Sequence, residues 1–224
     1  MERVTEPELM DEAEQARAYS EADFADSHQA VVEHFAQRFG DFDAFDGARV
    51  IDLACGPADV TTRVARAFPS ATFVGVDGAE AMITLGRERI ARDGLADRIT
   101  LVCHFLPDPA LRALGPFDAA LCTGALHHFH DPMVLWNTVR DVASTGTRVL
   151  VQDLTRPESE AAAHALVDQY AADEPEILRR DYFQSLLAAF TLDEIRDQLR
   201  AVGFEHFAVD AVSDRHVVVS GRVR

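Results

Sequence analysis

The chain has 224 residues, 48% of them hydrophobic, and 38 acidic against 21 basic side chains give a formal net charge of −17. The hydrophobic share supports a packed core, and the length suits one α/β domain with a modest elaboration better than two independent domains. The acidity excludes a broad phosphate-backbone contact, so nucleic acid and anionic membrane surfaces are not expected partners, and no apolar run approaches the roughly 20 residues that cross a bilayer.

The first eleven residues are acidic and polar, without a basic-then-apolar secretory pattern. As far as about Met10 they read as a loose, solvated terminus. Residues 12–39 carry a helical stripe of Val31, Phe35 and Phe39. Five short apolar runs follow, at 49–53, 72–76, 99–103, 117–121 and 148–151. Between them lie segments of three-and-four spacing, such as Val60-Val64-Phe68 and Met133-Trp136-Val139-Ala143. Runs that are apolar throughout imply a sheet covered on both faces, and the alternation implies a parallel, doubly wound one. Residues 157–190 read as helical and interrupt that alternation. Thr191-Leu-Asp-Glu194 is a capping box opening a helix with Leu192, Ile195, Leu199 and Val202 on one face, ended by Gly203. Phe204–Val212 and Asp214–Val219 read as two strands turned at Ser213-Asp214, an antiparallel hairpin at the sheet edge. Cys55, Cys103 and Cys122 cannot all pair and sit in apolar stretches, which reads as reduced thiols in a cytoplasmic protein.

The chemistry concentrates after the first strand. Asp52-Leu-Ala54-Cys-Gly56-Pro-Ala58 leaves a buried run, passes a tight loop and enters a helix. Small residues there let the backbone approach a ligand, and Gly56 takes conformations that others resist. With one glycine of three and no Lys-Ser/Thr pair, the loop is neither a dinucleotide fingerprint nor a phosphate-binding P-loop. The second strand ends in Asp77, 25 residues after Asp52. An acid at that strand end can accept both hydroxyls of a ribose, the bland reading being a solvated strand-end carboxylate.

With these residues the chain resembles the class I (Rossmann-like) S-adenosylmethionine-dependent methyltransferases. Asp52-Leu-Ala-Cys-Gly56-Pro-Ala58 is similar to the family's first motif and Val76-Asp77-Gly-Ala-Glu-Ala-Met82 to its second. Phe117-Asp118…Leu126-His127-His128-Phe129 resembles the segment after its fourth strand, and Thr147-Arg-Val-Leu-Val-Gln152-Asp153 its fifth strand. The resemblance covers about residues 48–154 well and 191–222 by topology. It implies a doubly wound, seven-stranded, mostly parallel sheet with an antiparallel C-terminal strand, helices on both faces and a helical lid. A helical cap would occupy 1–47, and a cofactor-binding catalytic domain 48–224 with a helical insertion at about 155–190. Asp52, Ala54 and Gly56 would then face the methionine portion of S-adenosylmethionine. Asp77, beside Gly78, would bind the ribose, and Met82 would pack on the adenine. Thr123 or Cys122 would offer a carbonyl to the cofactor ammonium, and Tyr19 is counted among the cofactor-binding residues.

Two departures from the family pattern carry their own expectations. Ala54 and Ala58 replace glycines, so the loop is expected to hold φ < 0 at both. Members often have Gly-Asp after the third strand, whereas this chain has His104-Phe105; adenine recognition would rest on backbone groups, His104 or stacking on Phe105.

Bland readings stand beside the sharper ones. Cys55 reads as a small loop residue rather than an activated thiol, because no partner base is evident. His127-His128-x-His130 lacks a matching Cys or Glu pair, so no metal is assigned to it. His127 first and His128 second are candidate general bases, with structural packing as the alternative. Arg156, Arg179 and Arg180 either pair with neighbouring acids or clamp a substrate anion. Tyr182, with Phe24, Tyr170 and Phe183, lines a substrate pocket or is plain core. Three functions remain open: methyl transfer to a small molecule under a lid, cofactor binding without methylation as a regulator or scaffold, and another reaction such as decarboxylation or cyclisation. The oligomeric state is open too, a homodimer included.

Overall fold

Each apolar run becomes a strand because only a sheet covered on both faces buries consecutive side chains. In the computed structural model, which describes residues 1–22, 24–40 and 47–224, these runs form β1 (Arg49–Leu53), β2 (Thr72–Asp77), β3 (Ile99–Cys103), β4 (Phe117–Thr123) and β5 (Ala143–Leu154). They pair in parallel in the order β3-β2-β1-β4-β5. The last strands, β6 (Ala208–Ala211) and β7 (His216–Arg222), extend the sheet beyond β5. β7 runs antiparallel to both β5 and β6, so it alone is reversed in the seven-stranded sheet.

Eight α-helices are present among the described residues: α1 (Ala13–Glu21), α2 (Ala25–Phe39), α3 (Asp59–Ala67), α4 (Glu80–Arg92), α5 (Met133–Val142), α6 (Glu160–Tyr170), α7 (Glu176–Ala188) and α8 (Leu192–Val202). Alternation along the strands sorts the core into two layers. Ile51, Leu53 and Val149 face α5 and α8, where Trp136, Ile195 and Leu199 are buried. Val50, Leu121 and Leu150 face α2, α3 and α4, where Phe35, Val64 and Ile83 are buried. The polar edge of Trp136 is satisfied inside its layer, Nε1 donating to Gln198 Oε1 at 2.9 Å. None of the described helices is long and apolar enough to cross a membrane.

Several boundaries differ from the sequence reading. The stretch 12–39 is two helices, and α2 carries its Val31-Phe35-Phe39 stripe into the sheet's own core; Asp23 lies outside the described residues. α5 stops at Val142, and Ala143 takes an extended conformation and pairs with Phe117, so β5 begins there. Phe204–Phe207 is a turn closed by Phe207 N–H donating to the Phe204 carbonyl, its two rings stacked 4.7 Å apart, so β6 begins at Ala208. The capping box of α8 forms as expected, Glu194 N–H donating to Thr191 Oγ1 and Thr191 N–H to Glu194 Oε2, and Gly203 ends the helix at φ 86°.

The N-terminus corrects the sequence reading most. Residues 1–10 are not a loose tail but a strap across the C-terminal ends of the strands. Arg3 donates to the carbonyls of His127 and Phe129 at 2.8 and 2.9 Å and to Ala188 at 2.5 Å. Val4 N–H donates to the Leu187 carbonyl at 3.1 Å. Carbonyls in a tight turn and at the end of α7 lack helical partners, and the strap supplies donors to them.

Candidate active site

The strand order reverses between β1 and β4, and a crevice opens there beyond the strand ends. The loop from β1 into α3 forms its floor. Its backbone takes left-handed φ at Gly56 (52°) and also at Ala54 (54°) and Ala58 (59°), so the expectation of negative φ at the two alanines is overturned. Left-handed geometry costs an L-residue about 1–2 kcal/mol. Here it is enforced by Cys55 N–H donating to the Val76 carbonyl on β2 and Ala58 N–H to the Cys55 carbonyl, with Ala58 fully buried. Alanine carries the smallest side chain that incurs this strain. Gly56 differs: a Cβ there meets nothing within 4 Å, because the position opens onto the crevice.

Asp77, at the end of β2, is fixed by that loop. Its Oδ2 accepts from Gly56 N–H at 2.8 Å and its Oδ1 from Ala79 N–H at 2.9 Å. Burial raises its pKa from the ordinary carboxylate value, while these backbone donors oppose the shift. Each oxygen keeps a further lone pair for a ligand hydroxyl. Asp52 lies deeper, accepting from Thr61 Oγ1 at 2.6 Å, and burial pushes its pKa up to about 6. The crevice encloses about 260 Å³, with Asp52 and Asp77 on its floor and Met82, Phe105 and Leu106 among its apolar walls. Thr123 closes the far side, and its Oγ1 is buried without a hydrogen-bond partner.

A second cavity of about 410 Å³ adjoins the first, the two sharing Tyr19, His28, Thr123, Gly124 and His128 in their walls. α6 and α7 contribute Tyr170 and Tyr182 to it; the buried Tyr182 hydroxyl has no partner, and burial pushes its pKa up to about 12. Its inner wall carries an imidazole–carboxylate cluster. His127 Nδ1 lies 2.5 Å from Asp153 Oδ1 at the end of β5, while its Nε2 lies 3.4 Å from Glu6 Oε1 of the strap. Burial alone would lower the His127 pKa, but Asp153 and Glu6 outweigh it and raise it. His128 Nδ1 lies 3.3 Å from the Pro7 carbonyl; burial, then the neighbouring His127, lower its pKa to about 3.

Residues 50–151 match the family described as "Methyltransferase domain". That span is a little under half of the chain. The chain is 31% identical over 118 residues to the ubiquinone/menaquinone biosynthesis C-methyltransferase UbiE of Geobacter sulfurreducens, covering 51% of this chain and 44% of the relative. It is also 31% identical over 153 residues to the trans-aconitate 2-methyltransferase of Mycobacterium ulcerans, covering 65% and 52%. The chain thus spans about half the length of the curated relatives it matches. A solved S-adenosylmethionine-dependent methyltransferase from Aquifex aeolicus shares its fold at a TM-score of 0.64 and 13% identity, over 93% of this chain and 97% of that one.

Within the matched span, the residues present fit S-adenosylmethionine. A fixed carboxylate can take the ribose, the open glycine lets the methionine portion approach the backbone, and the orphaned Thr123 hydroxyl awaits a partner. Ala54, Gly78 and Met82 join the same wall as expected from the sequence. Three anticipated site residues lie elsewhere. His104 turns away from the crevice to pair with Asp108, leaving Phe105, Leu106 and Pro107 in its wall. Cys122, expected to serve only through its backbone carbonyl, has its side chain wholly buried beside Thr123 in β4. Arg156 is bound by Glu194 and the Ala189 carbonyl, and Arg180, itself exposed, pairs with the buried Asp181. Neither arginine reaches either cavity.

Sequence reasoning missed three parts of the site: the strap, the Asp153 partner of His127, and a hub at Asp59. Asp59 Oδ2 accepts from His28 Nδ1 and Arg63 Nε, and Oδ1 from Arg89 Nη1. Burial would raise the Asp59 pKa, yet these partners hold it well below the usual carboxylate range and tie α2, α3 and α4 together at the crevice. An acid in the first turn of α3 was visible in the sequence; its three partners come from different elements and were not.

Proposed function

We propose that this protein transfers the methyl group of S-adenosylmethionine to a small-molecule acceptor held in the cavity beneath α6 and α7. The carrying observation is the shared wall of the two cavities, which sets a donor over Asp77 and Gly56 directly beside an acceptor. When bound, the cofactor supplies a methyl group already activated on a sulfonium. The protein's task is then alignment and exclusion of water. A volume of about 410 Å³ suits a small molecule. α6, α7 and the N-terminal strap serve as the lid that excludes water. With Arg156 and Arg180 engaged elsewhere, an anionic acceptor group has no clamp from either.

The two histidines take different roles. Both nitrogens of His127 face carboxylates, so it orients the cluster and is not free to take a proton. His128 stands at the junction of the cavities with Nδ1 toward Pro7, leaving Nε2 for a hydroxyl or amine hydrogen of the acceptor. A neutral imidazole of such low pKa orients a nucleophile well and is a weak base.

The test is incubation of the full chain with methyl-labelled S-adenosylmethionine and a panel of neutral phenols, alcohols and amines, followed by mass spectrometry. His128→Ala is expected to lower kcat at least tenfold with cofactor affinity unchanged, while His127→Ala chiefly lowers stability. Wild-type turnover in His128→Ala would remove it from the mechanism. No label transfer to any acceptor, with the cofactor bound, would favour a binding protein instead.

A further inference from the structure

The cluster beneath the acceptor cavity has the makings of a cation site. Glu6 Oε1, His127 Nε2 and one ring nitrogen of His128 all lie within 4.8 Å of one another. Glu6 Oε1 is 3.4 Å from His127 Nε2 and 3.4 Å from His128 Nδ1. Ligand atoms arranged tetrahedrally about an ion at about 2.0–2.1 Å sit about 3.3–3.4 Å apart, the spacing found for both pairs. Glu6 is 8% exposed; its Oε2 accepts from Ser185 Oγ, while its Oε1 is buried with no hydrogen-bond partner. A buried acceptor without a donor is costly unless something else occupies it. The other side of His127 is already arranged for ligation: Asp153 holds Nδ1, the carboxylate–histidine support that fixes a ligating imidazole with Nε2 outward.

The surrounding charge suits a divalent ion. Glu6 and Asp153 bring two carboxylates, and the nearest cation, Arg3, directs its donors to the His127, Phe129 and Ala188 carbonyls. Two imidazoles and one carboxylate favour zinc or a neighbouring transition metal over magnesium or calcium, which prefer all-oxygen shells. His128 exchanges only a 3.3 Å contact to Pro7 for the metal.

We propose that Glu6, His127 and His128 form a binding site for one divalent transition-metal ion, zinc foremost, with its open position toward the acceptor cavity. Both histidines line that cavity, so an oxygen donor of the acceptor would meet the ion there; with Nδ1 on the ion, His128 Nε2 would carry a hydrogen, and the ion in place of that imidazole would orient the acceptor and ease release of its proton to solvent. This use rests on the methyl-transfer reading; the binding itself does not.

The experiment uses the untagged full chain, stripped with a chelator and titrated with Zn²⁺ by calorimetry and with Co²⁺ by visible absorption. One ion per chain is expected, with the intense d–d bands of a four- or five-coordinate cobalt site. Glu6→Gln, which keeps shape and hydrogen-bonding capacity, should weaken Zn²⁺ binding at least tenfold, as should His128→Ala. Asp153→Asn should cost about 10–100-fold. Circular dichroism checks that each variant is folded. Absence of stoichiometric uptake by the wild type, or undiminished uptake in folded Glu6→Gln, would overturn the site and leave His127 as a buried imidazole between two acids. Metal uptake without methyl transfer would refute the proposed function and leave the site standing; label transfer without metal uptake would do the reverse.

Discussion

Asp52 connects stability to function in opposite directions, and Asp52→Asn exposes both. The side chain is 1% exposed, and burial foremost lifts its pKa from 3.8 to about 6, against the opposing Thr61 hydrogen bond. An acid raised in the folded state favours folding while protonated. Its contribution is full below about pH 3.8 and is lost as pH rises through about 6. At about 1.4 kcal/mol per tenfold change in binding, the ionised carboxylate costs the fold about 3 kcal/mol at pH 8. Asparagine keeps an oxygen for Thr61 Oγ1 without the charge. Asp52→Asn should therefore be about 2–3 kcal/mol more stable at pH 8, raising Tm by roughly 5–10 °C for a chain of this size. At pH 4 the gain should shrink below about 1 kcal/mol. Cofactor affinity should fall if, as proposed, this carboxylate faces the ammonium of the methionine portion, a trade of stability for binding. Urea and thermal melts of both proteins at pH 4, 6 and 8 decide the matter. A variant no more stable than wild type at pH 8, or one equally stabilised at pH 4, would refute the reasoning.

Asp77→Ala removes the acceptor for Gly56 and Ala79 N–H as well as for the ribose, and affinity for S-adenosylhomocysteine should drop by about 2–3 kcal/mol in calorimetry. Unchanged affinity would detach Asp77 from the site. In Gly56→Val the added Cβ meets nothing within 4 Å, but the change puts a β-branched residue at φ 52° and a side chain into the crevice. It should lose about 1–2 kcal/mol of stability and nearly all cofactor binding, with the far-ultraviolet spectrum preserved.

The sheet was legible because its strands are buried on both faces: Val50-Ile-Asp-Leu53 and Arg148-Val-Leu-Val151 read as apolar runs between helical spacings, and that pattern forces the parallel order. Asp77 was legible for a related reason, a lone acid ending an apolar strand. Asp153 ends β5 in the same way and pairs with His127, but the partner became visible only once the turn after β4 was folded back onto it. The left-handed alanines were hidden because their φ is imposed by a bond from Cys55 to Val76 on another strand, not by their own preferences. The strap was misread because acidic composition resembles a solvated tail. Arg3 and Glu6 find their partners more than a hundred residues downstream, which no local pattern encodes. Arg156 and Arg180 line neither cavity because Glu194 and Asp181 hold them elsewhere, the pairing that the sequence offered as the alternative to a substrate clamp.

The central claim is that the loop after β1 and the carboxylate ending β2 hold the adenosyl sulfonium. Calorimetric titration of the full chain with S-adenosylhomocysteine tests it most directly. One saturable site per chain, with a matching rise in Tm, is the predicted result. No heat and no thermal shift at millimolar ligand would contradict it, whatever the likeness of the fold.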